Sequence, residues 1–119
     1  MSKSNFGIDN FTSLTTFVHT CDDTAEELTD VTGYYNQFTV YAGTLQETKS
    51  NVVRVTITCE DHDIRFAFNL VPTQAGLGHV LTAGSSVVIS GHKNVSNFNF
   101  INKTNGADAV LQITPELSV

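Results

Sequence analysis

From Gly76 to Thr114 the chain reads GLGHVLTAGSSVVISGHKNVSNFNFINKTNGADAVLQIT. Short apolar runs alternate there with polar residues, and glycine and asparagine punctuate them. A side chain turned to the same face at every second residue is the period of a strand, not of a helix. The pattern extends upstream. In VVRVTITC, Val52 to Cys59, one face carries Val53, Val55 and Ile57 and the other Arg54, Thr56 and Thr58. In IRFAFNLV, Ile64 to Val71, one face carries Ile64, Phe66, Phe68 and Leu70. Both runs read as half-buried antiparallel strands. The short EDHD between them predicts a hairpin.

The rest of the chain supplies further strands. Phe11 to Cys21 reads as the first, and YYNQFTVYA at Tyr34 to Ala42 is aromatic and β-prone. His79 to Leu81, Ser86 to Ser90 and Val95 to Ile101 follow. Ala107 to Thr114 closes the set, with Ala109, Leu111 and Ile113 facing inward. Pro72 and Pro115 lack the N–H of a ladder and are expected to end the strands before them. Asn105-Gly106 is the strongest short hairpin signal in the chain. DDTAEELTD at Asp22 to Asp30 carries a helix-start signal but few apolar residues, so it allows only a turn or two. The spacing gives about eight short strands, one per roughly ten residues. The expected fold is all-β: an antiparallel β-sandwich, jelly-roll-like, with at most one short helical turn. Residues 1–10 are expected to form an N-terminal arm and 11–119 a single domain.

A chain of 119 residues can bury one core without metal or disulfide staples. Charged residues make up 15%, against an ordinary share of about a quarter. Thr, Ser and Asn take their place, which favours pleated strands and turns. The net charge is −6, and ten of the twelve acids lie at or before Asp63. Six scattered basic residues do not suit phosphate contacts, so neither nucleic acid nor an anionic membrane is expected as a partner. No apolar run reaches the roughly 20 residues of a membrane span. The N-terminal MSKSNFGIDNF lacks the apolar stretch of a secretory signal, so folding in a cytosol is expected.

Residues able to do chemistry are few and ill-spaced. His19, His62, His79 and His92 form no close pair, so neither a zinc nor a cupin-type metal site is expected. Cys21 and Cys59 fit no zinc pattern; two buried reduced thiols are expected, with a disulfide as the alternative in an oxidising compartment. The acids of DDTAEELTD lack the order of a calcium loop. Glu60, Asp61, His62 and Asp63 could hold a hard cation, but on a turn they are expected to face water. AGSSV is no nucleophile elbow, and GLGHVLTAG lacks the Lys-Ser/Thr ending of a phosphate loop. No catalytic residue, metal or cofactor is therefore expected, and the chain is not expected to be an enzyme. Tyr34, Tyr35 and Tyr41 could build a stacking platform for a sugar. Phe6 and Ile8, isolated on the arm, are either anchors into a neighbouring subunit or packing for the chain's own core.

The segments GHVLTAGSSVVISG at Gly78 to Gly91, NVSNFNFIN at Asn94 to Asn102 and ADAVLQITPE at Ala107 to Glu116 resemble small structural proteins of tailed bacteriophages. Such proteins are short β-sandwiches or jelly rolls found among head, cement and fibre components. The similarity covers about the last forty percent of the chain; it is a pattern of turns and strands, not a catalytic motif. The resemblance implies a virion protein that folds in the host cytoplasm. As a capsid decoration or cement protein it would bridge neighbouring capsid subunits. It would act as a homo-oligomer, expected to be a trimer, with itself and the major capsid protein as partners. Phe6, Ile8 and Phe11 are the contact candidates under this reading. The alternative is a carbohydrate- or receptor-binding module of a spike or fibre, using the tyrosines.

Overall fold

Nine strands lie among residues 11–34 and 52–118, which the computed structural model describes. They are β1 (Phe11–Ser13), β2 (Phe17–Cys21), β3 (Glu26–Glu27), β4 (Val52–Cys59), β5 (Ile64–Phe68), β6 (His79–Leu81), β7 (Ser86–Ser90), β8 (Phe98–Asn102) and β9 (Ala109–Ser118). A 3-10 turn spans Leu28–Asp30, and one helix, α1, spans His92–Ser96. A further helical turn begins at Thr32, so helical turns exceed the single one expected.

The strands form two antiparallel sheets. In the five-stranded sheet β9 is central: β1 and β2 pair along one edge of it, β4 pairs along the other, and β7 pairs with β4. The four-stranded sheet has the order β3-β8-β5-β6. From β2 to β9 the described strands change sheet at every link except β5 to β6. That alternation is the winding of a jelly roll. Alternate side chains of both sheets meet in one core. The five-stranded sheet contributes Cys21, Val55, Ile57, Cys59, Ile89, Ala109, Leu111 and Ile113; the four-stranded sheet contributes Ile64, Leu81, Phe98 and Phe100. The rings of Phe66, Phe68 and Phe98 lie 5.2–6.2 Å apart, centre to centre. Burying each large apolar side chain stabilises the fold by about 1.5–3 kcal/mol.

The inward faces of β9 and of β4 from Val55 onward are as the alternation predicts, but several connections differ. Val52–Cys59 and Ile64–Phe68 do not form a hairpin; β4 pairs with β9 and β7, and β5 with β8 and β6. EDHD is a crossover between sheets. Alternation fixes which face of a strand is buried and leaves its partner open. Asn105-Gly106 makes a turn, with Ala107 N–H donating to Thr104 O at 3.0 Å or less, but this turn too carries the chain from one sheet to the other. Val95 does not begin a strand. Gly91, at φ +99°, turns the chain into α1, whose Val95 N–H donates to Gly91 O, and the Val95 side chain plugs the core.

Phe11 to Cys21 is two strands, not one. The β1–β9 and β2–β9 registers differ by one residue, which leaves a bulge around Thr15. This explains why Pro115 does not end β9. Leu14 N–H donates to Pro115 O, so the nitrogen of Pro115 faces the break between β1 and β2, where a missing donor costs little. In β4 a second bulge, at Val53, turns Val52 into the core in its place. Leu70 lies past the end of β5 and is exposed.

Candidate functional site: an uncharged sheet face and a tied acidic end

The outward face of the five-stranded sheet is built from the residues that alternate with its core positions. Across its middle run Val18, Gln112, Thr58 and Ser86, then Thr114, Thr56 and Val88, each level set by the strand register. Val18 is 59% exposed and Val88 54%. The hydroxyls bond across strands: Thr16 with Thr114 at 2.6 Å and Thr58 with Ser86 at 2.7 Å. The charged pair of this face, Arg54 and Glu116, sits at one end of it, bonded to each other and further held by Ser13. Among the described residues the result is a surface of methyl, hydroxyl and amide groups.

The opposite character appears at the end of the sandwich where residues 22–25, 60–63, 82–85 and 103–108 connect strands. Six acids gather in these connections: Asp22, Asp23, Glu60, Asp61, Asp63 and Asp108. The acids of the Glu60–Asp63 turn do not simply face water. Asp61 Oδ1 accepts from Val110 N–H at 2.9 Å, Asp63 Oδ1 from Ala83 N–H at 2.8 Å, and Glu60 Oε2 from the Gln112 amide at 2.7 Å. Asp23 Oδ1 accepts from the Asn102 amide at 2.7 Å, from Gly106 N–H at 2.8 Å and from the Gln74 amide at 3.1 Å. Asn102 is wholly buried and also accepts from Gln74. The bonds from Asn102 and Gly106 hold the Asp23 carboxyl below its usual range, and the bond from Val110 does the same for Asp61. Among the described residues no three His, Cys, Asp or Glu side chains are placed to hold a metal ion.

The two cysteines are free and buried. Cys21 lies opposite Ala109 and Cys59 opposite Leu111, on the two sides of β9. Two strand spacings put them about 10 Å apart, beyond the roughly 7 Å that a disulfide can bridge. Burial, more than the nearby acids, pushes the Cys59 thiol up to about 11, and it raises Cys21 further. Such thiols are inert at neutral pH.

A third feature is an open groove of about 320 Å³ near the other end, lined by Glu27, Asn69, Leu70, Val71, Ser96, Asn97 and Asn99. Asn69 adopts φ +65°, and its N–H donates to Asn97 O at 3.0 Å. The Asn99 amide donates to Leu70 O at 3.1 Å. These bonds fix the groove's amide wall.

The anticipated site residues fare differently. Tyr34 is not a platform: it is fully buried in the core, on the helical turn after Gly33, and burial raises its pKa. Gly33 has no room for a side chain, because a Cβ there would run into the Phe17 ring. Tyr35, Tyr41, Phe6 and Ile8 lie outside the described residues. Phe11 opens β1, its backbone opposite Ser118. The uncharged face was half visible in the sequence, as the polar side of Val52–Cys59. The Asp23–Asn102–Gln74 network had no sequence signal, since its members lie in three separate segments. Among the described residues no helix is long and apolar enough to cross a membrane. No protein-family model matches the chain, and the search of curated proteins finds no relative for it.

Proposed function

We propose that the chain is a non-enzymatic structural protein of a virion, a capsid decoration protein that bridges neighbouring capsid subunits. It carries out this role through the outward face of the five-stranded sheet. The observation that supports the reading is the chemistry of that face: Val18, Thr56, Thr58, Val88, Gln112 and Thr114 present methyls and neutral polar groups, and among the described residues its one ion pair lies at the margin. A neutral surface can be buried without stranding a charge, the costliest loss in any interface. The acids gather at the end of the sandwich, and Glu60, which reaches the face from there, is bonded to the Gln112 amide. Self-association into a trimer would place several such faces on one particle, and multivalency would turn modest contacts into firm attachment. The jelly-roll winding agrees with this role by analogy of fold alone.

The groove supports a second reading, a neutral saccharide held by the amides of Asn97 and Asn99 beside exposed Leu70 and Val71. One experiment separates the two. Thr56→Glu places a carboxylate at the middle of the face, and Asn99→Ala strips the groove. Both variants are compared with the parent for co-sedimentation with assembled capsid shells. Loss with Thr56→Glu at unchanged melting temperature is expected. Binding that survives Thr56→Glu and fails with Asn99→Ala would transfer the function to the groove, and no binding by the parent would end the decoration reading.

A further inference from the structure

The Asn105-Gly106 turn has a chemical consequence independent of what the protein binds. In an Asn-Gly step the glycine nitrogen has no neighbouring side chain to shield it, and it can attack the asparagine Cγ. The N–Cγ bond forms and the Cγ–Nδ2 bond breaks. The proton from the glycine nitrogen leaves with Nδ2 as ammonia. Water then opens the resulting succinimide, leaving aspartate or, with the backbone rerouted through the side chain, isoaspartate.

Here both reacting nitrogens are held by one carboxylate. Gly106 N–H donates to Asp23 Oδ1 at 2.8 Å. With the Asn105 amide oriented as its surroundings require, its nitrogen donates to Asp23 Oδ2 at 3.0 Å. The attacking nitrogen is thus held by its own proton, and the leaving nitrogen is held by the same carboxylate. Asp23 is in turn fixed by the Asn102 amide at 2.7 Å, and Asn102 is fully buried. The same bonds make Asp23 a weaker base than an ordinary aspartate, so it is ill suited to take the glycine proton. Gly106 itself sits at φ +81°, where a residue with a side chain would be strained, so this turn retains its vulnerable glycine.

We infer that Asn105-Gly106 is a latent deamidation site and that Asp23 guards it. Once isoaspartate forms, the added backbone carbon displaces Gly106 from Asp23 and loosens the 103–108 connection from 22–25.

The test is ageing of the folded protein at neutral pH, below its melting transition. Peptide mass spectrometry follows amide loss at Asn105, and enzymatic methylation counts isoaspartate. Asp23→Ala is expected to deamidate at Asn105 at least about tenfold faster than the parent, the scale of losing the bonds that Asp23 accepts from Gly106 and Asn105. The parent in urea supplies the unguarded rate. Gln74→Ala removes a different bond to Asp23 and should stay close to the parent. A rate for Asp23→Ala equal to or below the parent's overturns the guard. A second readout needs no variant: in the parent the Gly106 amide must exchange its proton slowly, and exchange as fast as in an open loop overturns the proposal as well.

Discussion

The acidic end and the uncharged face divide the molecule's polar groups in opposite ways. Asp23, Asp61 and Asp63 are the side chains best equipped for chemistry, and each is spent on a backbone N–H of another segment. Thr56, Thr114 and Val88 have little chemistry to offer, and they face outward from the five-stranded sheet. Reactive groups here serve cohesion, and bland groups are turned outward. A cluster of carboxylates in a sequence is therefore no guide to a ligand until the donors around it are known.

The largest expected effect breaks that comparison at its acidic side. Asn102→Ala removes a wholly buried amide that joins Asp23 to Gln74. A loss of about 2 kcal/mol is expected, since two hydrogen bonds of a buried amide go, one of them to a charged group, while Asp23 keeps those from Gly106 and Gln74. The matched change on the face, Thr56→Val, should fall within about 0.5 kcal/mol of the parent. Urea unfolding of both variants checks the contrast. Equal losses would mean that the face is as much a part of the scaffold as the clasped connections.

Acid sharpens the same contrast without mutation. Asp23 and Asp61 have folded pKa values below their unfolded ones. Their contribution is complete above the unfolded value, about pH 4, where both states are ionised. Below it the unfolded chain binds protons first, so stability falls as pH drops toward the folded values. The melting temperature should be level from neutral pH to about 5 and decline below about 4, with Asp61→Asn flattening the decline. NMR should show the Gly106 and Val110 amides shifting in that window, while the Thr56 and Thr114 amides stay put. A decline centred near neutrality would assign the titration to other groups.

The limits of the sequence reading follow from the same physics. Ala109, Leu111, Ile113, Val55 and Ile57 were legible as core because side-chain alternation is a local property. The partnering of β4 and β5 was not, because four residues of turn serve equally for a hairpin or for a step to the facing sheet. Pro115 was misleading because the relief for its missing N–H lies in a bulge a hundred residues away, around Thr15. Tyr34 could be read as part of a stacking platform because a tyrosine serves a surface or a core alike; it is buried on a helical turn beside Gly33, which has no room for a side chain against Phe17, a contact that no local pattern encodes. Of the face, Arg54, Thr56 and Thr58 could be read as the polar side of one strand, but its extension over β9 and β7 required the register.

The smallest effect concerns the charged pair Arg54 and Glu116 at the margin of the face. Arg54 and Glu116 are joined directly, with side chains 36% and 17% exposed. A pair this accessible contributes little, about 0–1 kcal/mol, because water and salt screen it and ordering two side chains offsets part of the gain. The double variant Arg54→Gln/Glu116→Gln removes both charges together, so neither is left unmatched, and it should melt close to the parent. If the neutral rows carry recognition, shell binding should persist and should depend less on salt than the parent's. Loss of binding in this variant, with Thr56→Glu still active, would move the contact from the middle of the face to its charged edge.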